Sequence, residues 1–175
     1  MKTIKGLKAI IIDNNSVILT GLSGLYTYNL INDKLKKIYD FKFTFISLLS
    51  YLGLPLRRLL RDDISIAISI DKENILYVKN KKIIVINILK SKIKFEINIP
   101  RGSRPLNILK IKSLEGFDNG IYFGEYFDNP EKKEVNIFKI EDKKLKSVYT
   151  FQKHTIDHIH NLIIDQKRNC IWILA

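Results

Sequence analysis

Apolar residues recur in short runs of strand length, each closed by turn-forming residues. The first set is Ala9–Ile12, Ser16–Thr20, Leu25–Leu30 and Lys36–Phe41, broken at Asn14–Asn15, Gly21–Gly24 and Asn32–Asp33. Ile64–Ile70, Ile75–Lys79, Lys82–Ile88 and Lys92–Ile97 form a second set. A third comprises Leu106–Ile111, Gly120–Phe127, Glu134–Ile140 and Leu145–Phe151. A fourth begins with Ile159–Ile164 and Cys170–Leu174. The third runs align best: Gly24–Leu30 reads GLYTYNL, Lys82–Ile88 KIIVINI and Glu134–Ile140 EVNIFKI. Each is followed by a polar turn and a Lys-bearing run. Four strands in a repeat of about 40 to 55 residues are the mark of a propeller blade. One such unit cannot bury both faces, so neighbours must stack.

The predicted fold is therefore all-β, a single domain over 1–175 made of four-stranded antiparallel β-propeller blades. The repeats amount to about three and a half blades, fewer than a closed ring usually holds. The last repeat stops after Trp172–Ala175. An incomplete propeller, part of a longer protein, is the expectation, and an open sandwich or meander the alternative. One segment breaks the pattern. In 46–63 (ISLLSYLGLPLRRLLRDD), Leu48, Leu49, Leu52, Leu56, Leu59 and Leu60 recur near helical spacing around Gly53 and Pro55. It reads as an inter-blade insertion with short helices. A membrane-surface or partner helix carrying Arg57, Arg58 and Arg61 is the other reading.

Composition supports strands, with Ile abundant and Ala scarce. The formal charge of +12 comes from 30 Lys and Arg against 18 Asp and Glu. Most of the cations are Lys spread along the chain, whereas readers of bases and phosphates favour the planar Arg fork. Nucleic-acid binding through Lys is accordingly a secondary alternative. The single Cys170 excludes an internal disulfide. The apolar run after Lys2, Lys5 and Lys8 is too short for a signal-peptide core. No run reaches the length that spans a bilayer. A cytoplasmic protein is expected.

The polar residues that stand out fall late in the chain. His154, Asp157, His158 and His160 lie in HTIDHIH, which holds all three histidines. In a strand, His158 and His160 share a face. They are read as ligand-contacting residues or as backbone-bonded ones. Without a spaced second ligand pair, no metal is assigned there. In Gly120–Pro130 (GIYFGEYFDNP), Glu125 is expected inside a strand, where burial suits acid–base work. Tyr126 beside it offers a stacking surface. Loop Pro100–Pro105 (PRGSRP) presents Arg101 and Arg104 for carboxylate or phosphate recognition, or for a structural pair such as Arg104 with Glu125. Arg104, Glu125, Tyr126, His158 and His160 are the predicted ligand-binding set, converging on one face of the ring. Glu125 and Asp157 are the catalytic candidates should the chain hydrolyse sugars, since that chemistry needs two carboxylates. Trp172 is read as a core strand residue. No GxGxxG, Walker loop or GxSxG occurs, and no cofactor is expected.

Arg104-Pro-Leu106, Asn119–Phe127 with Asn129-Pro130, Val148–Phe151 and His158-Ile-His160 followed by Ile171–Leu174 resemble uncharacterised bacterial propellers of the sialidase-like, BNR-repeat superfamily. The likeness covers about two-fifths of the 175 residues. It implies a six- or seven-bladed propeller with a carbohydrate-related role. It does not imply sialidase activity, because the family's Asp box and triad of arginines are absent. A non-catalytic binding or scaffold propeller for a glycan or a protein is thus the first expectation, and a sialidase-like or other sugar-active enzyme the second.

Overall fold

A computed structural model describes residues 6–42 and 63–175. The insertion expected over 46–63 lies, but for Asp63, outside the described residues. Among the described residues every regular element is a strand. No helix there is long and apolar enough to cross a membrane.

Four strands, β1 (Lys8–Ile12), β2 (Ser16–Thr20), β3 (Gly24–Asn29) and β4 (Lys34–Asp40), form an antiparallel sheet in chain order. The next four, β5 (Ile66–Ser69), β6 (Asn74–Lys79), β7 (Lys82–Asn87) and β8 (Lys92–Asn98), repeat that order. So do β9 (Leu109–Ile111), β10 (Gly120–Gly124), β11 (Val135–Glu141) and β12 (Lys144–Phe151). A two-stranded sheet, β13 (Asn161–Asp165) with β14 (Cys170–Leu174), comes last. The expected four-stranded modules that pair with their sequence neighbours are what the structure contains.

Two compact units emerge, 1–80 with 84–94 and 81–83 with 95–175. In the first, Ile18, Leu25 and Ile38 pack with Ile64, Ile75, Tyr77, Ile84 and Ile86. Strands β6 and β7 are buried at nearly every position, so their apolar residues run on without alternation. In the second, Ile111, Tyr122, Val135 and Ile137 meet Ile159 and Leu162.

Turn chemistry explains the register. In the β5–β6 turn the Asp71 carboxylate accepts from the backbone N–H of Glu73 and Asn74 at 2.8 Å each. The Asn74 amide also donates to both its oxygens. The Asn74 side chain first, and then the Glu73 N–H, hold this carboxyl below its ordinary range. Two hairpins use two-residue loops with both residues left-handed: Asn80–Lys81 (φ 51° and 59°) and Asp142–Lys143 (φ 49° and 62°). This matches the type I′ turn that suits strand twist. A Lys is costly there, and Gly tolerates the conformation. Lys143→Gly is expected to stabilise the protein by about 0.5 to 1 kcal/mol, read as a higher urea midpoint at unchanged slope.

The outer strands share a feature. Each of β4, β8 and β12 opens with Lys-aliphatic-Lys: Lys34-Leu35-Lys36, Lys92-Ile93-Lys94 and Lys144-Leu145-Lys146. Each forms an edge of its sheet, and all six lysines are exposed. Charged side chains on an edge oppose pairing with a stray strand. Part of the positive charge therefore has a structural role that requires no polyanion.

Some expectations need correction. Strand β9 begins at Leu109 rather than Leu106, because Asn107 turns its side chain to accept the Leu162 N–H at 3.1 Å. Strand β10 ends at Gly124, so Glu125 follows the strand instead of lying inside it. Its carbonyl accepts from Ile159 N–H at 2.9 Å, outside the ladder. The segment 158–160 precedes β13 and is not itself a strand. Trp172 is 54% exposed. It pairs with Ile163, on the face away from the core residues Leu162, Ile164 and Ile171, and its indole N–H donates to Asp165 at 3.2 Å.

Candidate functional site

Three connecting segments of the second unit meet: 99–108 before β9, 125–134 after β10, and 152–160 before β13. Glu125 holds them. Its residue is only 3% exposed. The Arg101 guanidinium forks onto it, with Nε donating to Oε1 at 2.8 Å and the second nitrogen to Oε2. Oε2 also accepts from the backbone N–H and the side-chain amide of Asn136, at 2.8 and 2.9 Å. A buried charge needs such partners. The guanidinium in turn lies over the Phe127 ring, 4.3 Å from its centroid.

Gly102 permits this approach. It is left-handed (φ 73°), and a Cβ there would sit 2.2 Å from the Tyr126 carbonyl oxygen. The third segment is moored by Asn129. Its side-chain amide donates to the Lys133 and Asp157 carbonyls at 3.0 and 2.9 Å, while its Oδ1 accepts from Lys133 N–H at 2.8 Å. His154 N–H donates to the Lys132 carbonyl at 2.8 Å.

These anchors present a small aromatic patch. The Tyr126 ring lies 4.6 Å from His158 and 5.7 Å from His160, centroid to centroid. The two imidazoles are 4.7 Å apart and tilted by 71°. Their Nε2 atoms approach to 3.1 Å. Tyr126 and His158 are half-buried and His160 is exposed.

The sequence-predicted residues are thus partly gathered. Tyr126, His158 and His160 are in mutual contact, and Glu125 is adjacent in sequence but turned inward. Arg104 is exposed and, among the described residues, pairs with no carboxylate. The guanidinium on Glu125 is that of Arg101, which corrects the Arg104 pairing. Gly102 lets the backbone press against Tyr126 and so brings its predecessor to Glu125, while Arg104 next to the buried Pro105 faces solvent. The Asp157 side chain is 59% exposed and lies 3.6 Å from Lys132. Glu125 and Asp157 share no hydrogen bond. His154 sits exposed in the turn after β12 with left-handed backbone (φ 68°), and its ring does not join the other two. Asn129 stands out in the sequence only in the Asn129-Pro130 resemblance, with no anchoring role, and Asn136 is not singled out there. The visible signal for Asn136 was a polar residue between Val135 and Ile137.

Among the described residues no group of three His, Cys, Asp or Glu side chains converges as a metal site. Tyr122, a buried residue of β10, has its hydroxyl pushed up by burial and donates to the Asp118 carbonyl at 2.8 Å.

With this geometry in place, the class of fold is an all-β assembly of four-stranded antiparallel blades. Over 94% of its length the chain is similar, at 16% identity and a TM-score of 0.57, to the crystal structure of the extracellular domain of the putative one component system BT4673 from B. thetaiotaomicron. It is also aligned with the WD40 β-propeller domain of Doa1, over 95% of the chain at 14% identity and a TM-score of 0.49. The chain spans 19% of the first of those chains and 46% of the second. No family profile and no curated protein matches it.

Proposed function

We propose that this chain is a non-catalytic binding or scaffold unit that holds a glycan or a protein at the Tyr126–His158–His160 patch. The observation that carries this reading is how Glu125 is used. Its two oxygens already accept four hydrogen bonds from Arg101 and Asn136. A carboxylate so committed braces loops and has little capacity to move protons. What is left facing outward is an aromatic ring with two imidazoles, on segments pinned by buried anchors. Such a patch offers stacking and hydrogen bonding together, as glycan and protein ligands require.

The resemblance of Arg104–Ala175 to sialidase-like, BNR-repeat propellers supports a glycan over a protein. Hydrolysis has less support. It would need Glu125 freed from Arg101 and placed across a substrate from Asp157. A glycan array probed with the full chain tests the reading. Tyr126→Ala is expected to cut the bound signal roughly tenfold, the loss of about 1 to 1.5 kcal/mol of ring contact. Its circular dichroism should not change. Signal retained in full by Tyr126→Ala would remove the patch from the proposal. Release of sugar that stops with Glu125→Gln would replace binding by hydrolysis.

A further inference from the structure

We propose that His158 and His160 chelate a divalent transition-metal ion of the zinc and copper class through their Nε2 atoms. The inference is independent of the glycan reading, since a metal can bind whether or not a sugar does.

The geometry is the main argument. Zinc binds imidazole nitrogen at about 2.0 to 2.1 Å. Two nitrogens 3.1 Å apart, each at that distance from one ion, subtend an angle of about 100°. This is near the tetrahedral value, so the separation of the two nitrogens need hardly change. A two-imidazole hydrogen bond gives the same separation, with one ring donating and the other accepting. With neither nitrogen protonated, both lone pairs are free to converge on a cation.

The backbone makes the arrangement persistent. Ile159, between the two histidines, is 2% exposed, and its N–H donates to the Glu125 carbonyl at 2.9 Å. His160 N–H donates to the Leu174 carbonyl at 2.7 Å. The His-Ile-His segment is therefore pinned at its centre and at its end, with the buried side chain inward and both imidazoles together outside. Tyr126 walls one side of the pair. Ligands set in place before binding lose less freedom on binding. Apart from their contact with each other, neither imidazole makes a hydrogen bond among the described residues. No third His, Cys, Asp or Glu side chain joins them there. The remaining positions go to water or to an oxygen or nitrogen of a bound molecule, an open site rather than a closed structural one.

Isothermal titration of the full chain, prepared without a histidine tag, tests this with zinc chloride and copper(II) chloride. Magnesium chloride serves as control, since imidazole suits zinc and copper and not magnesium. The expected result is one saturable zinc or copper site per chain and none for magnesium. His158→Ala and His160→Ala are each expected to weaken it roughly tenfold or more, as losing a direct ligand costs at least what losing an outer-shell partner does. His154→Ala should leave it unchanged. Imidazole NMR of the unsubstituted chain gives a second readout that no folding defect can mimic: two of the three ring systems should shift with zinc. No saturable site would overturn the proposal. So would a site indifferent to His158→Ala and His160→Ala, or one lost with His154→Ala. A blank glycan array with zinc bound would sink only the glycan reading, and the converse only this one.

Discussion

Replacing Arg101 by Met is expected to cost about 3 kcal/mol, the low end of the range for removing one partner of a buried ion pair, because the Arg101 side chain is partly exposed. The Glu125 side chain is 2% exposed against 29% for Arg101, so water can take over only in part from the lost guanidinium. Asn136 would still donate twice, but two neutral donors do not balance a full charge held out of water. At roughly 2 to 4 °C per kcal/mol for a chain of this size, the melting temperature should fall by about 10 °C. Arg104→Met, on the same loop but exposed, should change stability by no more than about 0.5 kcal/mol. The double variant Arg101→Met with Glu125→Leu should recover part of the loss, because it leaves no stranded charge. Urea melts of the four proteins decide it. Equal midpoints for Arg101→Met and Arg104→Met would show that Glu125 does not depend on the guanidinium that faces it.

That pair of arginines also shows what the sequence could and could not convey. Blades were legible because their signal is local. Alternation and turn residues lie side by side in the chain, and each strand pairs with its sequence neighbour. Asn80–Lys81 and Asp142–Lys143 mark their hairpins directly, and so does the recurring Lys-aliphatic-Lys that opens β4, β8 and β12. The loops were less legible, because their conformation is set by long-range anchors. Nothing near Glu125 in the chain announces that Ile159 will draw its carbonyl out of the ladder, or that Asn129 will reach the Asp157 carbonyl. The proximity of His158 and His160 was foreseen from strand periodicity. It arises instead from a non-strand segment pinned at Ile159, whose side chain is buried while its two neighbours' rings meet outside. Trp172 misled because an aromatic residue in an apolar run has no sign attached to its face. Its register against Ile163 decides that.

The second large effect is expected at Gly124, where the core and the histidine patch meet. A Cβ there would stand 2.4 Å from Cγ2 and 2.5 Å from Cβ of Ile159, too close for any real contact. Ile159 cannot step aside, for it is buried with Leu162 and Val135 and its N–H is tied to Glu125. Gly124→Val adds three carbons to that space, and about 3 kcal/mol, the upper part of the overpacking range, is expected. Gly116→Ala is the matched comparison. Gly116, unlike Gly124, is left-handed (φ 76°), and nothing lies within 4 Å of the place its Cβ would take. Only backbone strain is added there, about 1 kcal/mol. The two differ in a second readout. Pushing Ile159 outward shifts the residues on either side of it, so Gly124→Val should also weaken zinc binding, whereas Gly116→Ala should not touch it. Hydrogen exchange at the Ile159 and His160 amides follows the same displacement: it should quicken in Gly124→Val, as the bonds to Glu125 and Leu174 loosen. If Gly124→Val melts with the parent chain and protects both amides equally well, then Ile159 is not wedged against Gly124. The placing of the two imidazoles would then have to come from the residues beyond β12 alone.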